Sequence, residues 1–291
     1  MRSLQARIRQ ATQQTGMNQL VIEKDYALSY VLAGLAMHPR LAEALIFKGG
    51  TALKKNFFGN YRFSEDLDFS AVHGPVKDEL EEALRMAADE TSRLLRLQGR
   101  FDVEIERYEE RDPHPGEQEA FKIGVRFPWH PETLCRVKVE ITHDEPVLVT
   151  PESRPLIHGY EEDLAVNIRC YSLEEIVVEK MRTLLQGYQI LVARGWVRSR
   201  ARHYYDLWRI LSEFGQLLRC EALLDLLKAK SAHRKVSFNS LEDFFPEQLI
   251  SDVHKSWEQS LGAFVPGGLP PCEEVLEGLR SMLPSFFPAL A

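Results

Sequence analysis

The chain has 291 residues, 44% apolar and 27% charged, an ordinary globular composition with room for one large core or two smaller ones. That excludes a disordered chain, a collagen-like chain and a disulfide-stapled miniprotein. With 36 Lys and Arg against 43 Asp and Glu the net charge is −7, which excludes a surface basic all over but leaves room for a local basic patch.

The first 40 residues read as helix, with Leu28, Val31, Leu32 and Leu35 on one apolar stripe and Pro39 ending the pattern. The nearly apolar run Tyr26 to Met37 is too short to span a bilayer, which takes about 20 residues, and starts too late for a signal peptide. A short segment, Leu41–Leu45, leads into a buried strand at Leu45-Ile46-Phe47. Gly49-Gly50 breaks that strand, and Thr51 is expected to cap a short helix running to Phe57. Leu67 and Phe69 alternate with Asp66 and Asp68 in a second strand, and a helix follows from Pro75 to about Leu97. Three period-2 runs come next, centred on Val103, Ile123 and Val139. Beyond Cys170, Ser172 and Glu175 form an S-x-x-E box opening a long helix, a second helix covers about Arg202 to Phe214, and more helix fills the remainder. The expected fold is α/β of the α+β kind: helices and a mixed sheet over residues 1–170, then an all-helical region over 171–291. Cys135, Cys170, Cys220 and Cys272 have neither zinc nor redox spacing, so a reduced, cytoplasmic chain without membrane association is expected.

Five features carry chemistry. Asp66 and Asp68, two apart on a strand, point to one face about 7 Å apart, where their repulsion invites a divalent cation. Glu140, beside Lys138 and Thr142 on the polar face of its strand, either completes a metal-binding cluster or lies on an exposed face. Lys48-Gly49-Gly50-Thr51 at a strand-to-helix turn suits a phosphate, although the Walker A spacing is absent and a purely steric Gly-Gly turn is the alternative. Lys180 lies between Ile176 and Leu184 on an apolar stripe, so it either snorkels to water or faces a polar cleft and meets an anion. Between Lys180 and Arg209 seven basic residues face one acid, Asp206. Arg194, Arg198, Arg200 and Arg202, interleaved with Trp196, Tyr204, Tyr205 and Trp208, suit RNA phosphates and bases, or else form a solvated face over a helix core. Asp206 would organise a cation or help bind a base.

The stretches IEKDYALSYVL, FKGGTALKK, RFSEDLDFS, EKMRTLL and RHYYDLW, in that order from Ile22 to about Trp208, resemble the AbiEii/MenT-type nucleotidyltransferase toxins of the DNA polymerase beta superfamily. The resemblance implies a polymerase-beta-like sheet flanked by helices and NTP-dependent transfer of a nucleotide, releasing pyrophosphate, to an RNA such as a tRNA 3′ end, which would block translation. Asp66 and Asp68 match the metal carboxylates, with Glu140 a third where the superfamily often has Asp. Ser64, Lys180 and Asp206 match residues needed for activity, and Gly49, Gly50 and Thr51 match the phosphate-side turn. Lys48, Ser64 and Lys180 would join that turn on the triphosphate. Mg²⁺ or Mn²⁺ is the implied cofactor and an antitoxin encoded beside the toxin the implied partner. In one branch that antitoxin is a kinase acting on the serine matching Ser64. Asp66→Asn or Lys180→Ala is expected to abolish transfer with the fold intact. The rival readings are transfer to a protein or small molecule, and an inactive nucleotide-binding module.

Overall fold

Gly16 divides the N-terminal helical stretch. There α1 (Leu4–Thr15) ends in a left-handed residue with φ 70°, and Asn18 opens α2 (Gln19–Met37) by accepting from the Leu20 amide at 2.8 Å. The computed structural model describes residues 2–109 and 117–290, in two compact units, Met1–Tyr171 and Ser172–Ala291. Leu28, Val31, Leu32 and Leu35 are buried, as their spacing predicts. The burial extends all round the middle of α2, because a helix apolar on nearly every face is a core element. Among the described residues, no helix is long and apolar enough to cross a membrane.

The short segment before the first strand is a helix, α3 (Pro39–Ala44), with Pro39 in its first turn and His38 accepting from the Leu41 amide. Then come β1 (Leu45–Lys48), the single turn α4 (Gly49–Ala52) and a wider π turn at Leu53–Phe57. The first unit continues through β2 (Asp66–Ala71), α5 (Lys77–Leu95), β3 (Asp102–Tyr108), β4 (Gln118–Arg126), β5 (Cys135–Thr142), β6 (Glu152–Pro155) and β7 (Asn167–Cys170).

The seven strands form one mixed sheet in the order β3-β4-β5-β2-β1-β7-β6. In it β2 runs antiparallel to β1 and parallel to β5. Side chains alternate across the pleat, so Leu67, Phe69, Phe121, Ile123, Val137, Val139 and Ile141 fill the buried face beside α2 and α5. The even-numbered residues of β2, β4 and β5 form the other, polar face. At the edges, β3 turns Asp102, Glu104 and Glu106 to solvent and β6 ends in Pro155. The four-residue strands β6 and β7 are absent from the sequence-based plan, because Glu-Ser-Arg-Pro and Asn-Ile-Arg-Cys are too short and polar to show alternation.

A buried polar node ties this unit together. Arg7 on α1, Tyr26 and Tyr30 on α2, and His158 all converge on the Glu162 carboxylate. Burial holds the His158 imidazole neutral, with its pKa pushed down to about 3.

The second unit is helical throughout its described residues: α6 (Leu173–Arg194), α7 (Ala201–Phe214), α8 (Cys220–His233), α9 (Glu247–Leu261) and α10 (Cys272–Phe286), with short 3₁₀ turns between them. The Ser172 hydroxyl caps α6 by accepting from the Glu175 amide at 3.2 Å, and the Glu175 carboxylate pairs with Lys230 at 2.9 Å in the core. Tyr204, Tyr205 and Leu211 are core residues of α7. The aromatic residues of the basic segment therefore belong mostly to packing. Trp196 is the exception, 56% exposed.

Candidate active site

The site is assembled by register. In β1–β2 pairing Lys48 lies opposite Asp68, and in β2–β5 pairing Asp66 lies opposite Lys138 and Asp68 opposite Glu140. Residues directly opposite in a sheet share a face, so Lys48, Asp66, Asp68, Lys138 and Glu140 all stand on the polar side. Three carboxylates expected together are thus on two adjacent strands of one face.

Their electrostatics are those of an acidic patch partly answered by lysines. Burial raises the Asp66 pKa, and the Glu140 charge raises it further against the opposing pull of Lys24 and Lys138. Glu140 Oε1 accepts from Lys138 Nζ at 2.7 Å and from Gln118 Nε2 at 2.6 Å. Among the described residues no three His, Cys, Asp or Glu side chains are gathered closely enough to cage a metal ion. The donor chemistry fits a hard divalent cation at Asp66 and Asp68, where added positive charge would reverse the upward pull on Asp66. Glu140 sits at the right place on the face, but its Oε1 is occupied by an ammonium and an amide.

The Gly-Gly turn is built against those carboxylates. Gly49 has φ 79°, and a Cβ there would stand 2.4 Å from Asp68 Oδ2. A Cβ on Gly50 would stand 2.4 Å from an Arg62 guanidinium nitrogen. Both glycines therefore answer to close approach, and Gly49 also to backbone conformation. Gly49→Ala is expected to displace the Asp68 carboxylate and to cost about 1–2 kcal/mol from the left-handed backbone alone. A denaturation midpoint and a transfer rate both equal to those of the unaltered chain would refute this.

Thr51 does not cap the helix as its position suggests. The helical turn starts at Gly49, and the Thr51 hydroxyl donates to the Asp66 carbonyl at 2.5 Å. That bond ties the Gly-Gly turn to the strand bearing the aspartates, which is why the hydroxyl is not spent on a cap. Ser64 is half-buried two residues before Asp66.

Sequence reasoning missed several supporting groups. Arg62 is 3% exposed, and its Nη1 donates to the Phe63 carbonyl at 3.2 Å while the guanidinium covers Gly50. Its signal was present, since it opens the R-x-S-x-D-x-D stretch. Lys55, in the π turn, pairs with Asp25 on α2 at 2.8 Å and donates to Ser29 at 2.9 Å, both partners being buried. Burial lowers the Lys55 pKa to about 8, against the stabilising charge of Asp25. Lys55→Met would take the ammonium from the buried Asp25 carboxylate and leave it the Tyr160 hydroxyl at 3.2 Å and the more distant Lys54 charge, with an expected loss of about 3–5 kcal/mol. Urea denaturation measures it, and a loss below about 1 kcal/mol would mean water replaces the pair.

In the second unit, Lys180 Nζ meets Asp206 Oδ2 at 2.6 Å, joining α6 to α7 with both groups buried. The lysine on the apolar stripe is thus buried against a carboxylate of the chain's own, with no cleft shown around it among the described residues, and the lone acid of the basic segment pairs with that lysine. Arg194 and Arg198 are exposed, and Arg200 lies half-buried across Gly187. Burial, then the charges of Arg182 and Arg198, push the Arg200 pKa down to about 10. Arg202 is engaged within this unit, donating to the Ser260 carbonyl at 3.0 Å and standing 4.6 Å over the Phe264 ring.

Residues 30–286 match the family model described as "Nucleotidyl transferase AbiEii toxin, Type IV TA system". The fold is similar to that of MenT4, a nucleotidyltransferase toxin from Mycobacterium tuberculosis H37Rv, with TM-score 0.56 and 19% identity over 94% of this chain and 98% of that one. No curated protein matches the sequence at a significant level.

Proposed function

Since the chain belongs to the AbiEii nucleotidyl transferase toxin family of type IV toxin–antitoxin systems, we propose that it transfers a nucleotide from an NTP to the 3′ end of an RNA acceptor, with tRNA the first candidate, and thereby halts translation. The observation that carries this reading is the pairing of β1, β2 and β5, which sets the Gly-Gly turn against an Asp66, Asp68 and Glu140 face. The family membership brings with it an antitoxin partner.

In the proposed reaction the acceptor hydroxyl loses its proton, its oxygen bonds the α-phosphorus, and the bond to the leaving pyrophosphate breaks. Asp66 and Asp68 would hold a divalent cation, Mg²⁺ or Mn²⁺, whose chemistry is to neutralise phosphate charge and activate the hydroxyl. The amides of Gly49, Gly50 and Thr51 would receive the triphosphate, with Lys48 and Ser64 beside them. Glu140, as long as Lys138 holds its Oε1, orients that lysine; as a metal ligand it would exchange the ammonium for the ion. The Lys180–Asp206 pair is proposed as required for activity. Arg194, Arg198 and Arg200 would take RNA phosphates, supported by the exposure of Arg194 and Arg198 and by the Arg182 and Arg198 charges that add to burial in lowering the Arg200 pKa. Arg202 would contribute mainly by fixing its helix.

The test incubates the chain with each labelled NTP, Mg²⁺ and total tRNA, beside an Asp66→Asn control. Label at tRNA 3′ ends, lost in the control, supports the reading. NTP binding without labelled RNA would move the acceptor to a protein or small molecule.

A further inference from the structure

The polar face does not stop at the carboxylates. Register carries it across β5 to β4 and β3, so that Asp66, Lys138, Lys122 and Glu106 lie on one rung. On the next rung lie Lys48, Asp68, Glu140, Ala120 and Tyr108. Lys122 Nζ stands 3.7 Å from the centre of the Tyr108 ring and Lys138 Nζ 5.4 Å from the same centre. Two ammonium groups are thus gathered about one aromatic ring, next to Glu140, while the residue between Tyr108 and Glu140 is only alanine. Glu140 already answers Lys138 at 2.7 Å, and an anion reaching the ring from the Lys122 side would meet both ammonium groups at once.

The strand order says which anion. The Gly-Gly turn and Lys48 lie on the β1 side of the aspartates, and the two lysines lie on the β5 and β4 side. In-line displacement at phosphorus puts the attacking and leaving oxygens at opposite ends. If the triphosphate occupies the turn, the incoming chain must approach from the lysine side. Glu106, exposed at the end of the Lys122 rung, sets a negative boundary there.

We propose that Lys122 and Lys138, backed by Tyr108, seat the phosphodiester that precedes the terminal nucleotide of a single-stranded RNA acceptor. The inference rests on the RNA-acceptor reading and adds the place where that acceptor enters. Lys138 is also tied to Glu140, so Lys122 is the residue to test.

Initial rates are measured on the full chain with Mg²⁺, varying total tRNA and NTP separately, for the unaltered protein, Lys122→Ala and Glu106→Gln. Lys122→Ala is expected to raise the KM for tRNA about tenfold, leave the KM for NTP unchanged, and lower the salt slope of RNA binding by about 1. Glu106→Gln should do the reverse to the KM for tRNA, an improvement that a merely structural role would not give. A rise in the NTP KM instead would assign the seat to the triphosphate and overturn the proposal. So would unchanged constants for both substrates. Transfer to RNA absent from the unaltered chain would overturn the RNA reading and this seat together, whereas normal transfer with unchanged variants overturns the seat alone.

Discussion

Asp66→Asn is expected to lower nucleotide transfer by about a thousandfold, on the order of 4 kcal/mol of transition-state stabilisation, while leaving the denaturation midpoint unchanged or raised at neutral pH. The stability half follows from sign. Burial and the Glu140 charge raise the pKa of the Asp66 carboxyl, so the folded chain holds the proton there more firmly than the unfolded chain does. That contribution to stability is fully present below the unfolded carboxyl value, about 3.9, and is lost as pH rises through the folded value. Asparagine keeps the shape and removes the titration, so the variant should lose less stability than the unaltered chain over that rise. Denaturation curves across this pH range, run beside the transfer assay, measure both halves. A well-folded D66N chain that still transfers would remove Asp66 from the mechanism.

Lys180→Ala carries the second large effect, and the structure changes what it can teach. The sequence predicts loss of activity with the fold intact. The 2.6 Å pair with Asp206 is buried, so deleting the ammonium removes a charge partner from a fully buried carboxylate between α6 and α7. The expected cost is about 3–5 kcal/mol, a large part of the 5–15 kcal/mol that holds a typical domain together. Inactivity of this variant alone would therefore prove nothing about chemistry. The informative protein is the double variant Lys180→Met with Asp206→Leu, since replacing both charges of a buried pair by apolar groups is often neutral or stabilising. If the pair also serves the reaction, the double variant regains the midpoint without regaining transfer. Recovery of both would make the pair purely structural. A midpoint for Lys180→Ala within about 0.5 kcal/mol of the unaltered chain would show that the pair is not formed in solution.

Periodicity reveals the main strands and long helices, because β2, β4 and β5 each bury one face and expose the other. The same alternation put Asp66, Asp68 and Glu140 on polar faces without revealing which strands would be neighbours. That β2 pairs with β5 over Asp68 and Glu140 is a long-range fact, and no local pattern encodes it. Lys138 was visible only as a neighbour of Glu140, since its bond to Oε1 depends on side-chain reach. Thr51 was misread for a related reason: a threonine near a helix start reads as a cap, yet here a carbonyl from β2 competes for its hydroxyl and wins. The aromatic residues of the basic segment show the opposite balance. The helical spacing of Tyr204, Trp208 and Leu211 favours a core stripe; Tyr204 and Leu211 are buried, Trp208 is half-buried, and Tyr205, off that stripe, is buried as well.

The two borders of the sheet have a consequence for the protein's behaviour at high concentration. A border strand carries unspent amide and carbonyl groups that can zip onto another molecule and seed fibrils. On β3, Asp102, Glu104 and Glu106 face solvent in strict alternation, so two copies laid side by side would bring like charges into register. At the far border Pro155 has no amide hydrogen to offer, and Glu152–Pro155 is only four residues long. Both borders are thus closed to self-templating, which favours a chain that stays dispersed while it is being synthesised.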